Sequence, residues 1–308
     1  MKKHHVHSIY TLILAVTLLF YAGCTSGSLS GGSTGGSGPD NFRYGSDALR
    51  IDFHPGNAYR FYEGDDVTLL LELQNKGTAD IEGGELFLAG YDKSFLNFQL
   101  DPGVFFSIDG KDRFDPNGDF FETYTLTARN VRLPRERDEL RQSIMVTACY
   151  DYKTTMSAEV CVDPDPYNRR LKDKACELSV RGVSAQGHPV TISSVTPTVN
   201  SKDIRFAIKF GNSGSGTVYD RRVSYEKCNI GLDYDELDMV YVDRVLLGTN
   251  TLKCEPDNPV RMNNGGSIIC TCENCIDQTL QPYWTFMEID LSYGYKNTIQ
   301  RDVVIFGD

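Results

Sequence analysis

Apolar and polar residues alternate with a period of two along four stretches of this chain, and the four form two matched pairs. Residues 67–81 read VTLLLELQNKGTADI and residues 204–218 read IRFAIKFGNSGSGTV, at an offset of 137. Each is an apolar strand, an Asn, a Gly-containing turn and the start of another strand. Residues 146–162 (VTACYDYKTTMSAEVCV) and 289–305 (IDLSYGYKNTIQRDVVI) match at an offset of 143 and share Tyr-x-Tyr-Lys-x-Thr. A third echo sets IDFHP, from Ile51, opposite SSVTP, from Ser193. Landmarks in the same order at nearly equal offsets mark a tandem duplication.

Within these stretches the alternation assigns faces. Val146, Ala148, Tyr150 and Tyr152 fall on one side and Thr147, Cys149 and Asp151 on the other; Val160 and Val162 then alternate with Cys161. Ile289, Leu291, Tyr293, Tyr295, Val303 and Ile305 repeat the pattern. Period two puts one set toward a core and the other outward. Two alternating runs around a short polar connection predict a hairpin in each half. Residues 134–142 (PRERDELRQ) lack an apolar stripe, so they predict a turn or two of helix at most.

Short strands separated by Gly, Asn and Pro turns predict an all-β chain of two tandem immunoglobulin-like β-sandwich domains, at 45–165 and 187–308, with an inter-domain segment at 166–186. The turn Asn75-Lys76-Gly77-Thr78-Ala79 and its echo Asn212-Ser213-Gly214-Ser215-Gly216 resemble the cell-adhesion-related (CARDB-like) immunoglobulin-type domains of prokaryotic surface proteins. The tandem arrangement also resembles archaeal surface proteins. The resemblance implies a sandwich fold and a surface location. It carries no catalytic residues across.

The N-terminus reads as a targeting segment, 1–23. Lys2 and Lys3 precede SIYTLILAVTLLFYAG, an apolar run of 16 residues. That is short of the roughly 20 residues that span a bilayer core. Tyr21-Ala22-Gly23-Cys24 resembles the lipobox of secreted lipoproteins, with Tyr21 standing where that family has an aliphatic residue. The resemblance implies lipidation of Cys24; secretion without lipid and an uncleaved anchor are the alternatives. Residues 24–44 open with a Gly/Ser-rich run that behaves as a flexible linker.

Charge narrows the partners. The chain carries a formal −11, and loss of Lys2 and Lys3 with the signal makes it −13. Nucleic-acid binding needs a basic face, so it is not expected. The expected partners are the membrane, through the N-terminal lipid or anchor, and a surface protein or glycan.

With Cys24 set aside, eight cysteines remain: Cys149, Cys161, Cys176, Cys228, Cys254, Cys270, Cys272 and Cys275. In an exported chain an even set reads first as disulfides, of open connectivity. A bridge between Cys149 and Cys161 across the expected hairpin is one possibility, and one from Cys161 to Cys176 another. Cys254, Cys270, Cys272 and Cys275 have a spacing loosely compatible with a zinc site, the lesser reading.

Other candidates are weaker. Residues 109–119 (DGKDRFDPNGD) lack the spacing of a calcium loop and read as a polar inter-strand loop. Asp233, Asp235, Glu236 and Asp238 read as a solvated face. His54 and His188 each sit near a proline, in expected structural turns. Tyr59, Phe61 and Tyr62, and Tyr283, Trp284 and Phe286, are expected mainly in the core, with a glycan platform as the alternative. No nucleophile elbow, metalloprotease helix or phosphate loop is present in the sequence. The chain is therefore expected to be non-enzymatic and to need no cofactor: a tethered display or adhesion module, alternatively a glycan-binding or metal/redox surface protein.

Overall fold

The computed structural model describes residues 42–98, 104–118, 121–167, 174–183, 187–262 and 266–307. The expected signal segment and Cys24 lie outside the described residues. The first half runs β1 (Leu49–Phe53), β2 (Arg60–Tyr62), β3 (Val67–Asn75), β4 (Ile81–Ala89), β5 (Val104–Ile108), β6 (Phe121–Ala128) and β7 (Glu139–Val162). After β8 (Ser179–Arg181), the second half runs β9 (Val190–Val199), β10 (Ile204–Asn212), β11 (Thr217–Tyr219) and a short helix α1 (Tyr225–Ile230). It continues with β12 (Met239–Leu247), β13 (Asn250–Thr251), β14 (Lys253–Glu255), β15 (Val260–Arg261), β16 (Ser267–Cys272) and β17 (Tyr283–Phe306).

The fold is an all-β sandwich of open sheets. One small sheet has the order β1-β3-β6, the other β14-β16-β10-β9, and a large sheet runs β13-β12-β17-β7-β4-β5. Burial follows the period-two pattern. Val67, Leu69, Leu71 and Leu73 of β3 are buried, as are Ile204, Phe206, Ile208 and Phe210 of β10. These join one hydrophobic cluster that also takes in Val146, Tyr152, Leu291 and Ile305 of the large sheet. Pro39–Asp308 accordingly cluster as one unit.

The expected hairpins at 146–162 and 289–305 are instead single continuous strands. β7 and β17 are 24 residues each and pair antiparallel along their whole length, Tyr283 opposite Val162 and Phe306 opposite Glu139. The reason is parity. Every even position from Ile144 to Val162 is buried, so the core phase passes unbroken through Lys153-Thr154-Thr155. Of the polar residues at the expected connection, Lys153 and Thr155 face outward along one strand, while Thr154 is buried on the core side with its hydroxyl bonded to Tyr293.

The pairing register gives the duplication a pseudo-twofold axis. Asp151 lies opposite Gly294, and the 143-residue offset makes these two equivalent. Tyr150 then faces Tyr295, and Tyr152 faces Tyr293. The halves meet as the subunits of an isologous dimer do, here within one chain. The four tyrosines are buried and pack edge-on or tilted, with ring centroids 5.9–6.2 Å apart.

Their hydroxyls repeat the symmetry. The Tyr152 hydroxyl accepts from Ala79 N–H at 3.4 Å, and the Tyr295 hydroxyl accepts from Gly216 N–H at 2.9 Å. Tyr150 donates to Asn297 Oδ1 at 2.6 Å, while the Tyr293 and Thr154 hydroxyls share a 2.7 Å bond. Asn75 and Asn212 each close their own turn: Oδ1 accepts from Gly77 or Gly214 N–H at 3.0 Å, and Nδ2 donates to the carbonyl of Ala79 or Gly216. This explains why both turns carry glycine. A Cβ on Gly77 would collide with the Tyr152 hydroxyl, and one on Gly214 with that of Tyr295.

One insertion breaks the symmetry. In the first half β4 continues past the turn, whereas in the second half β11 and β12 are separated by residues 220–238, which carry α1. Gly294 stands where the first half has Asp151. A Cβ there would lie 2.4 Å from the Tyr219 ring, so its absence makes the space that Tyr219 fills.

Candidate binding surfaces

Four disulfides pair all eight candidate cysteines: Cys149 with Cys228, Cys161 with Cys176, Cys254 with Cys270, and Cys272 with Cys275. The possibility of a bridge from Cys149 to Cys161 fails with the hairpin, since 12 residues of extended strand separate them by about 40 Å. Parity did place both on the side opposite the core, but each is fully buried there because a staple covers it. Over Cys149 lies α1, held by Cys228 and by the Tyr225 hydroxyl donating to the Gly83 carbonyl at 3.1 Å. Over Cys161 lie residues 174–176, where Cys176 closes the bridge and Lys174 bonds Asp163 Oδ2 at 2.7 Å and the Asp165 carbonyl at 2.6 Å. Cys254 and Cys270 are direct cross-strand neighbours. Oxidised in this way, Cys254, Cys270, Cys272 and Cys275 present no thiolate to a zinc ion. Among the described residues no group of three His, Cys, Asp or Glu side chains is placed to hold a metal. Four disulfides fit an oxidising, extracellular environment.

The outward face at the pseudo-axis forms a cleft of about 390 Å³, lined in part by Asp80, Glu82, Asp151, Lys153, Arg221 and Ser292. Its charges mostly answer one another. Lys153 pairs with Glu82 at 3.3 Å, Asp80 accepts from Gly110 N–H at 2.8 Å, and Arg221 reaches Asp243 at 4.0 Å. Partial desolvation by the cleft walls raises the Asp151 carboxyl above its ordinary range, opposed by Arg221 and Lys153. The buried hydroxyls of Ser292 and Tyr219 have no hydrogen-bond partner among the described residues.

A second surface lies on the outward side of the β1-β3-β6 sheet. Register sets Arg50, Gln74 and Phe121 in one row across three strands and Asp52 with Glu72 in the next. A cleft of about 410 Å³, lined in part by Tyr44, Asp47, Arg50, Lys76, Lys111 and Asn117, adjoins one of about 320 Å³ that shares Arg50 and Lys76 and ends on Phe121. Sequence reasoning passed over Lys111. It follows no periodicity, and only folding of the 109–119 loop against the segment at Tyr44 buries it.

The remaining candidates divide. In the 109–119 loop Asp112 spends its carboxylate on its own backbone, accepting from Phe114 and Asp115 N–H at 2.7 Å each; Asp119 lies outside the described residues. Asp233 and Glu236 pair with Lys227 at the surface, at 2.8 and 3.7 Å. His54 accepts from Gly56 N–H at 3.0 Å and closes its turn. Tyr59 and Phe61 pack against the core as expected. Tyr62, Tyr283, Trp284 and Phe286 do not: they are 59%, 39%, 38% and 65% exposed. Trp284 and Phe286 hold the outward parity of β17, and Tyr283 precedes its first buried position, Met287. The Arg181 guanidinium lies 3.6 Å over the Trp284 ring and bonds Glu159 at 2.9 Å.

His188 is structural. It is buried at 3% exposure against Tyr152, its Nε2 lies 3.0 Å from the Thr78 hydroxyl and 3.2 Å from the Thr155 carbonyl, and its Nδ1 has no partner among the described residues. Desolvation lowers its pKa to about 4, against the bond to Thr155. A histidine held neutral in the folded state contributes stability that is complete above its unfolded pKa of about 6.5 and is lost as pH falls toward about 4. The loss reaches about 3 kcal/mol. Urea midpoints of wild type and His188→Gln should therefore converge as pH falls from 7 to 4.5. Parallel pH profiles would show that His188 carries no such linkage.

No protein-family model matches the chain, and no curated protein matches it.

Proposed function

We propose that the chain is an exported, non-enzymatic display module, tethered at the cell surface through lipid on Cys24 or an N-terminal anchor, that offers its sheet faces to a surface protein or glycan. The observation that carries this reading is the bracing of the two halves. A shared 24-residue strand pair and four disulfides suit a scaffold that must keep its shape outside the cell. The exposed aromatics Phe121, Trp284 and Phe286 on outward sheet faces favour the glycan as the second reading.

The test is the intact mass of protein from its native membrane, with and without reduction, together with protease shaving of intact cells. The expected product starts at Cys24, carries lipid, gains eight hydrogens when the four disulfides are reduced, and is lost on shaving. A lipid-free chain in the medium overturns the tether. A chain protected from protease in intact cells overturns surface display.

A further inference from the structure

In a chain of net charge −11, the groove on the β1-β3-β6 sheet gathers three cations. Lys111 is only 4% exposed. Among the described residues its ammonium has one hydrogen-bond acceptor, the Tyr44 carbonyl at 2.9 Å, and it lies 4.3 Å from the Tyr44 ring centroid. An ammonium carries three donors and is costly to bury short of acceptors. Desolvation lowers the Lys111 pKa, and the like charge of Lys76 lowers it further, against the pull of Asp47. Lys76 has a carbonyl partner, Asn117 at 3.2 Å, and Arg50 closes the group from β1, paired with Asp52. Lys111 and Lys76 are thus like charges held together beside an open cleft and answered only in part by Asp47, and a bound anion offsets that cost.

The neighbouring cleft narrows the anion. It adds Asp52, Glu72 and Gln74 to an exposed Phe121, 55% accessible. The row from Arg50 through Gln74 to Phe121 crosses two strand spacings, about 10 Å. Carboxylates and an amide accept hydrogen bonds from hydroxyls, and an aromatic face stacks on an apolar ring surface. These carboxylates repel a continuous train of phosphates more than a single carboxylate or sulfate seated on Lys76 and Lys111, which argues against a nucleic acid.

We propose that this face binds an acidic saccharide, its carboxylate or sulfate held by Lys76, Lys111 and Arg50 and a sugar ring lying on Phe121. Asp52, Glu72 and Gln74 take the hydroxyls. The assignment deepens the glycan reading above, and its test is independent of surface tethering because it uses the purified chain.

The experiment is calorimetric titration of the full disulfide-bonded chain with short uronate- and sulfate-bearing oligosaccharides, their neutral counterparts, inorganic sulfate and a single-stranded oligonucleotide. An acidic oligosaccharide is expected to bind at least about tenfold tighter than its neutral counterpart, and less tightly as salt rises. Lys76→Ala should weaken that binding about tenfold. Phe121→Ala should weaken the saccharide and leave inorganic sulfate unchanged. Both side chains are partly or largely exposed, so the variants fold, and circular dichroism checks this. Equal affinity for neutral and acidic sugars, no binding of any acidic oligosaccharide, wild-type affinity in both variants, or equal binding of the oligonucleotide each overturns the proposal.

Discussion

Replacing Cys149 and Cys228 together by alanine is expected to lower the free energy of unfolding by about 4.5 kcal/mol. The bridge spans a separation of 79 residues and ties the insertion in the second half to the long strand of the first. Cross-linking so distant a pair removes much loop-closure entropy from the unfolded chain, and the gain grows with the logarithm of loop length. The Cys272–Cys275 bridge spans only 3 residues, so its removal should cost about 2 kcal/mol by the same relation. Urea unfolding of the two double variants and the wild type measures the difference. The slope with denaturant should rise in the Cys149/Cys228 variant, because its unfolded chain exposes more surface. Limited proteolysis adds a local readout: residues 220–238 should become the first cleavage site once α1 is freed from Cys149. Equal losses in the two variants would mean that loop length is not what the long-range bridge acts through.

Tyr150→Ala and Tyr293→Ala should each cost about 3–5 kcal/mol, the usual range for deleting a buried ring. The costs should be similar because the two tyrosines are equivalent by the repeat and occupy equivalent places beside the axis. Each loses its edge-on ring contacts and orphans a hydrogen-bond partner, Asn297 in one case and Thr154 in the other. Tyr150→Phe separates these terms. It keeps the ring but leaves Leu49 N–H without the hydroxyl at 3.1 Å, a loss of about 1–3 kcal/mol. Scanning calorimetry asks a further question of the same variants. Since one apolar cluster runs through both halves, either alanine variant should lower the melting temperature of a single transition. Two resolved transitions, with only the mutated half shifted, would show that the halves melt independently.

Hydrophobic alternation made the strands legible, since side-chain direction in a strand depends only on the residue's parity. The core positions Val146, Tyr152, Leu291 and Ile305 followed from this alone. The duplication was legible too: the two Asn-x-Gly turns and the two Tyr-x-Tyr motifs are local patterns. What the sequence did not state was that these motifs meet. Tyr152 rests on Gly77 and Tyr295 on Gly214, and the two tyrosine motifs then pair with each other across the axis.

The misreadings have one cause. Polar residues such as Lys153 and Thr155 look alike in a turn and on the outward side of a long strand; which they are depends on whether a partner strand runs past them. β17 does. The chemistry of Trp284 and Phe286 predicts core positions, whereas their parity in β17 points outward. The even cysteine count predicted disulfides, but pairing Cys149 with Cys228 required knowing that an insertion folds back over β7. Nor does anything local to Lys111 foretell its burial beside Lys76 and Arg50. Strand-forming segments, their inward faces and the repeat could be read along the chain, because these depend on neighbours in sequence. Register, disulfide partners and the cationic groove were decided only by tertiary structure, because they are made from residues far apart in sequence whose proximity is a property of the whole fold.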